Sequence, residues 1–577
     1  MEFCLVLIET SGNQNYIYST NKLRENIGAS ELTYLVGTKF LLQILGQLAV
    51  AEDIFSIDSD VFRKNLLDKN KNPSLENNEN NKIEIILATS GKALLLVKNR
   101  NIGCKIVKKL TAYVLKNAPG IEVYGVVSKE FCWEKETIHS VEQQLHKEYN
   151  KVRSDLPSSE MRFLRLPIMT QCATSGLPAT FYDFKKPNEG PRSIVALRKR
   201  DYSEKGFERM NNLAQSKNKD IKLAKSIEIL EKKIENLQWL AVIHADGNGL
   251  GQIFLDFAKH VAKFNGKKEL EAVDNRLYID TLRRFSLALD VCTENAFCVA
   301  LEKLNEKLIK KDSAKDISKE DKKDILPVVP IVVGGDDLTV LCDGKYAMQF
   351  TYDFLTEFED QTKKTETDIE CLKSIISEIS EVAFKSKGLS SCAGISIVKP
   401  HFPFYSAYSL SEELLRSAKK VKNKFRHCSA IDFHILYDSS GPDLTRIRNS
   451  LKTDNNLTEL VARPYIVTKF SNFEELNCWA KMRLWENLEK RVKAISATDE
   501  NGKKKLPNSM LHNLREYLFL GKESADAQYK LVRNRYEDLK DLTSSEESLF
   551  WIEENTSITA FLDALDIVEF WEKDDDK

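Results

Sequence analysis

Two glycines followed by two aspartates, Gly334-Gly335-Asp336-Asp337, stand between the apolar runs Pro327–Val333 and Leu338–Leu341. Apolar runs of roughly four to eight residues on either side of a turn read as buried strands. The chain must therefore double back here as a hairpin inside a sheet, with its tip at the sheet edge. The glycines permit φ > 0 and leave the backbone open to a closely approaching phosphate chain. Two carboxylates projecting from such a tip are hard oxygen ligands suited to Mg²⁺ or Mn²⁺. The plain alternative is an ordinary hairpin turn, because Gly and Asp are both favoured turn residues.

A second segment weighs against that alternative. Trp239–Ala245 is a hydrophobic strand ending at Asp246, and Gly247-Asn248-Gly249-Leu250-Gly251 follows. One hairpin cannot hold two metal ions alone, so a carboxylate from a neighbouring strand is expected. In a ferredoxin-like sheet the first strand lies beside the central hairpin, which brings Asp246 to Asp336 and Asp337. Two divalent ions about 3.5–4 Å apart neutralise a triphosphate and activate a hydroxyl in the general two-metal scheme of nucleotidyl transfer. The small residues Gly247, Asn248 and Gly249, with Gly334 and Gly335, are the expected backbone cradle for phosphates. Lys399, after the strand Leu389–Val398, and above all Lys419, at the end of the helix Ser409–Lys424, are the candidate phosphate cations. A solvated helix-end lysine explains any one of these equally well. His244 shares the face of Asp246 and reads more readily as a packed histidine than as a residue behind the metal.

The 577 residues exceed one ordinary core. Each half runs strand, polar turn, helix, hairpin with a glycine tip, helix, strand; the first tip is Ser90-Gly91-Lys92. The expected fold is α+β: two ferredoxin-like palm domains, the first degenerate and the second carrying the Gly-Gly-Asp-Asp hairpin, plus a helical C-terminal domain. The expected boundaries are 1–215 for the first palm, 216–238 for a linker helix, 239–455 for the catalytic palm and 456–577 for the helical domain. A helix is expected from about Thr20 to Val50, solvated loops at Lys69–Lys82 and Lys310–Asp324, and an acidic tail at Lys573–Lys577.

Composition excludes several classes. With 85 basic and 86 acidic side chains the net charge is -1, against a general nucleic-acid coat. Eleven cysteines lie singly with no C-x-x-C pair, fitting a reducing compartment and no clustered zinc site. No apolar stretch approaches a membrane span and the N-terminus lacks a signal-peptide pattern, so a soluble cytoplasmic protein without membrane association is expected. There is no His-Asp dipeptide, and Ser11 and Ser90 lack triad partners.

Five segments resemble the large, polymerase-like subunit of type III CRISPR effector complexes, the Cas ten family. They are IETSGNQNYIYSTNKLRENIGASELTYLVG (Ile8–Gly37), HADGNGLGQIF (His244–Phe254), VVGGDDLTVL (Val332–Leu341), AGISIVKPHFPFYSAYSLSEELLRSAKK (Ala393–Lys420) and, more weakly, SAIDFHILYD (Ser429–Asp438). The resemblance implies two palms, the first degenerate, and joining of ATP into cyclic oligoadenylates when phage RNA is sensed. It implies that Asp246, Asp336 and Asp337 carry the metals and that Lys419 meets phosphate. The family's HD nuclease and cysteine-rich zinc element have no counterpart, Cys172 standing alone, so a shortened form is expected.

Two functions follow. The first is a nucleotidyltransferase making an oligonucleotide second messenger from ATP or another nucleoside triphosphate, with RNA or CRISPR-type protein subunits as activator. The second is a non-catalytic palm pair that binds nucleotide or RNA, or scaffolds a complex. The intact set of three aspartates favours the enzyme. A template-dependent polymerase lacks a duplex-gripping domain, and a diguanylate cyclase is disfavoured because Asp337 and Leu338 stand where that family has Glu and Phe.

Overall fold

The computed structural model describes residues 1–48, 59–233, 237–314, 325–437, 441–471, 473–499, 503–536, 542 and 547–571. Its first sheet contains β1 (Glu2–Ser11), β2 (Ile83–Thr89), β3 (Lys92–Val97) and β4 (Glu122–Val127) in the order β2-β3-β1-β4. These three pairings are antiparallel, as is that of a fifth, short strand, Phe131–Cys132, with β1. The second sheet contains β5 (Leu240–Gly247), β6 (Val328–Gly334), β7 (Asp337–Asp343), β8 (Ser391–Val398), β9 (Ala430–Ile435) and the short β10 (Tyr465–Ile466), in the order β10-β9-β8-β5-β7-β6. Its β6-β7-β5-β8 part repeats the strand order of the first sheet, so the duplication read from the sequence is present in the topology. The fold is α+β, a palm pair with a largely helical C-terminal region.

Apolar patterning dictates this architecture. Every residue of β5 is buried except the half-buried Asp246, as expected of a strand covered on both faces. The helices that matter for the site are α1 (Leu23–Leu35), α2 (Ser59–Leu67), α3 (Ile194–Lys217), the 40-residue α4 (Asn275–Ala314) and α5 (Phe404–Ala418). Helix α4 joins the halves. Its Arg276 and Arg283 pair with Glu84 of β2, whose side chain is fully buried. Asn275 accepts the backbone N–H of Ile138 at 2.8 Å. One apolar core runs through both sheets.

Several expectations change. The helix expected from Thr20 is α1, a π-helical turn at Val36–Phe40, and a helix at Leu41–Gln47; Val50 lies outside the described residues. The π turn coincides with Gly37, where a Cβ would fall 1.9 Å from the carbonyl oxygen of Thr89. The expected linker helix 216–238 is helical only at the last two residues of α3, Ser216 and Lys217, and at Ile227–Lys233 among the described residues. Residues before it are extended instead, with the Ala224 N–H donating to Val328 O at 3.1 Å along the edge of β6. The loop Lys69–Lys82 is pinned where the buried Asn72 amide donates to Leu66 O and Ile85 O at 3.0 and 2.9 Å. Of the loop Lys310–Asp324, residues to 314 continue α4 and the remainder lies outside the described residues, as does the tail Lys573–Lys577. Beyond residue 455, β10 still pairs with β9, and Thr458–Glu459, Trp551–Glu553 and Thr556–Ile558 form a further small sheet with Lys452–Thr453, just before that boundary. Strands of two or three residues are too short to show an alternating pattern.

Candidate active site

Antiparallel pairing of β5 with β7 runs from Leu240 opposite Asp343 to Ala245 opposite Leu338. The next residues on each strand are Asp246 and Asp337, so register alone brings them together at the sheet end. A two-residue turn, Gly335-Asp336, closes the hairpin, with Gly334 opposite Asp337. Gly335 has a φ of 62° and Gly334 a φ of 154°, which is why this tip needs glycine. Carboxylate oxygens of Asp246, Asp336 and Asp337 all lie within 4.8 Å of one another, the one such metal-competent group among the described residues.

Charge in the site is uneven. Burial opposes ionisation of Asp246, but the Lys419 ammonium holds its carboxyl below the ordinary range. Lys419, just past the end of α5, pairs with Asp246 Oδ2 and donates to Gly247 O at 3.2 Å. Asp336 and Asp337 are pushed well above the usual carboxylate range by withdrawal from water and by the charges of their carboxylate neighbours. One lysine cannot balance three acids, and a hard divalent cation fits this all-oxygen donor set.

The glycines serve different ends. A Cβ on Gly247 would lie 2.9 Å from the Asp336 Cβ, so the close approach of β5 to the turn depends on its absence. Gly249, with φ 75°, would drive a Cβ to 2.6 Å from the Phe384 ring. Where a Cβ would stand on Gly334 or Gly335 there is nothing within 4 Å, so that side of the backbone is an open ledge. Asn248 is not free to meet a ligand. Its amide nitrogen donates to Ser390 Oγ and Cys428 O, each at 3.0 Å, and the residue is buried.

Lys399 is not brought to the site. It follows Val398, which pairs with Leu240 at the far end of β5 from Asp246, and its ammonium sits over the Trp239 ring at 3.5 Å. Strand β8 separates the two ends, because its Cys392 end is the one opposite Asp246. His244 is buried, with Nδ1 2.9 Å from Thr339 Oγ1, and burial pushes its pKa down: it is a packed, neutral histidine.

Some residues of the site escaped the sequence reading. Tyr18, from the first half, donates to Thr339 Oγ1 at 2.8 Å and stacks on Tyr408 of α5 with ring centroids 3.6 Å apart. Asp290 and Thr293 of α4 hold the backbone of Gly335. The acid Asp290 within the otherwise apolar run Leu287–Val291 was the one local signal of this hold. In the first palm the matching positions are Glu9, opposite Lys92 in the register, and these two form an ion pair at 3.6 Å. A lysine where the second hairpin has Asp337 neutralises that site internally.

Residues 239–427 match the family model described as Cas10/Cmr2, second palm domain. That stretch of the chain is therefore similar to a Cas10-type second palm. The crystal structure of Csm1 in T.onnurineus is similar to it at 13% identity and a TM-score of 0.50, over 99% of this chain and 69% of that one. The apo Csm1-Csm4 cassette matches at 12% identity and a TM-score of 0.48, over 99% of this chain and 70% of that one. The Csm1-Csm4 cassette in complex with cA4 matches at 12% identity and a TM-score of 0.44, with the same coverages of 99% and 70%. The Csm1 likeness is one of fold. No curated protein matches the sequence. Among the described residues, no helix is long and apolar enough to cross a membrane.

Proposed function

We propose that this chain is a Cas10-family, metal-dependent nucleotidyltransferase that joins ATP, or another nucleoside triphosphate, into a cyclic oligonucleotide messenger in CRISPR-like antiviral defence. The observation that carries this is the convergence of Asp246, Asp336 and Asp337 beside Lys419, at the foot of the open Gly334-Gly335 ledge. Asp246, Asp336 and Asp337 are the residues that would hold two Mg²⁺ or Mn²⁺ ions, which when bound supply neutralisation of the triphosphate and activation of a 3′-hydroxyl. The reaction forms a bond from the 3′-oxygen of one nucleotide to the α-phosphorus of the next. The bond to pyrophosphate breaks, pyrophosphate leaves and the hydroxyl proton passes to solvent.

The chain's own groups do the rest. Lys419 keeps Asp246 ionised and lies within reach of a phosphate at the same point. The bare ledge admits a phosphate chain against the backbone. Tyr18, Thr339 and Tyr408 form a packed wall that joins the two palms beside the carboxylates. With Glu9 and Lys92 paired, the first palm contributes shape and contact instead of a second carboxylate centre. On this reading the partners are the nucleoside triphosphate and, as activator, RNA or subunits of a type III CRISPR-like complex, in the cytoplasm.

The test is a product assay with each labelled nucleoside triphosphate and Mg²⁺ or Mn²⁺, beside the Asp336→Ala/Asp337→Ala double variant. An oligonucleotide product from the wild type alone supports the reading. Absence of both product and metal-dependent nucleotide binding contradicts it.

A further inference from the structure

The Gly335-Asp336 turn carries one site aspartate and leads directly into a second, Asp337, yet it has almost nothing of its own to hold it. Gly335 has no side chain, nothing lies within 4 Å of where its Cβ would be, and its φ of 62° is one a free glycine leaves readily. A hairpin tip of this kind usually gives its first central N–H and C=O to water. Here both are taken by one helix. The Gly335 N–H donates to Asp290 Oδ1 at 2.8 Å, and Thr293 Oγ1 donates to Gly335 O at 2.6 Å. Asp290 and Thr293 are three apart on α4, so they share one face and grip the two ends of a single residue. The N–H bond is to a carboxylate and is among the stronger hydrogen bonds available to a backbone group.

The grip is itself anchored. One turn further along α4, Glu294 pairs with Arg63 of α2 at 2.7 Å, and only 7% of the Arg63 side chain is exposed. That pair fixes the rotation of α4 against the first palm, and the rotation decides where Asp290 and Thr293 point. Burial of an ion pair is costly unless geometry rewards it, so its place behind the clamp is informative.

We infer that Asp290 and Thr293 are positioning residues, which clamp Gly335 from both sides and so hold Asp336 and Asp337 where a divalent cation can bind. Neither touches substrate or metal; they act through the backbone of the turn. The inference rests on the metal-site reading above. Its consequence is that metal affinity depends on a bond outside the carboxylate set.

The experiment titrates Mn²⁺ alone into the full chain, with free Mn²⁺ read by electron paramagnetic resonance, for wild type, Asp290→Ala, Asp290→Asn and Thr293→Val. Asp290→Asn keeps an acceptor oxygen at the same place and removes the charge. The expected result is a loss of Mn²⁺ affinity of about tenfold for Asp290→Ala, the order of one charge-assisted hydrogen bond. Asp290→Asn restores affinity to within about threefold of wild type, as expected for one weaker neutral bond. Thr293→Val removes only the hydroxyl bond at nearly constant volume, and it carries the same test should Asp290→Ala fail to fold; a loss of about fivefold is expected. Wild-type affinity in both Asp290→Ala and Thr293→Val overturns the clamp. So does an Asp290→Asn protein as weak as Asp290→Ala, which would assign the effect to charge. A wild type that binds no Mn²⁺ overturns the metal-site reading itself, and is told apart because every variant then behaves alike.

Discussion

Asp336 and Asp337 are costly to keep where they are. Carboxylate oxygens of three acids within 4.8 Å repel one another, with Lys419 answering for Asp246 alone. Asp336→Asn or Asp337→Asn is therefore expected to cut nucleotidyl transfer at least a hundredfold, while the melting temperature in EDTA holds or rises; calorimetry beside the product assay checks both. Lys199 gives a separate test of burial. Its ammonium donates to Tyr16 O and lies 4.2 Å from the Tyr16 ring centroid, and burial pushes its pKa from 10.5 down to about 8. Below pH 8 both folded and unfolded chains carry the proton, so the folded state bears the full penalty. Between pH 8 and 10.5 the unfolded chain binds more protons, and stability rises with pH. Wild type should thus gain on Lys199→Met by the order of 2 kcal/mol across that window, read by denaturant unfolding at stepped pH. The aspartates were legible in the sequence because the Gly-Gly-Asp-Asp turn, which alone also reads as an ordinary hairpin, is joined by Asp246 at the end of a second apolar strand. Asp290, Thr293 and Tyr18 were not, because each acts over a contact that no local spacing encodes. Lys399 misled for a related reason: proximity in sequence to a sheet strand says nothing about which end of the sheet it occupies.

At the scale of elements, the site depends on how closely helix α5 lies on strand β8. Gly394 decides that distance: a Cβ there would fall 2.0 Å from Ser411 O and 2.4 Å from Leu415 N, both backbone atoms that cannot swing aside. Gly394→Ala is expected to destabilise the chain by about 3 kcal/mol or more and to move Lys419 off Asp246. Chemical denaturation measures the first effect and loss of product formation the second. Strands β1, β5, β6, β7 and β8 were readable because they are long apolar runs. The short strands of the C-terminal region and the extended segment before Ile227 were not, since their structure comes from an edge they pair with and not from their own pattern.

Across the whole molecule, the two palms meet at Tyr18, which joins the first half to Thr339 and Tyr408 of the second. Removing the hydroxyl, in Tyr18→Phe, costs about 1 kcal/mol; removing the ring, in Tyr18→Ala, costs about 3 kcal/mol or more and should lower turnover with stability. Equal small losses in both variants would show that the stacked ring does not join the halves. The duplication itself was legible as a repeated order of strand, turn and hairpin. The reason for asymmetry was not, because it lies in a pairing of Glu9 with Lys92 that replaces an acid with a base at the matching position. The central claim is that the second palm's three aspartates form a metal-dependent nucleotide site. Its most direct test is a crystal structure with Mn²⁺ and a non-hydrolysable ATP analogue, with manganese located by anomalous scattering. The account predicts manganese held by Asp246, Asp336 and Asp337, with the triphosphate lying over Gly334 and Gly335. Manganese elsewhere, or a nucleotide whose phosphates avoid that ledge, would contradict it.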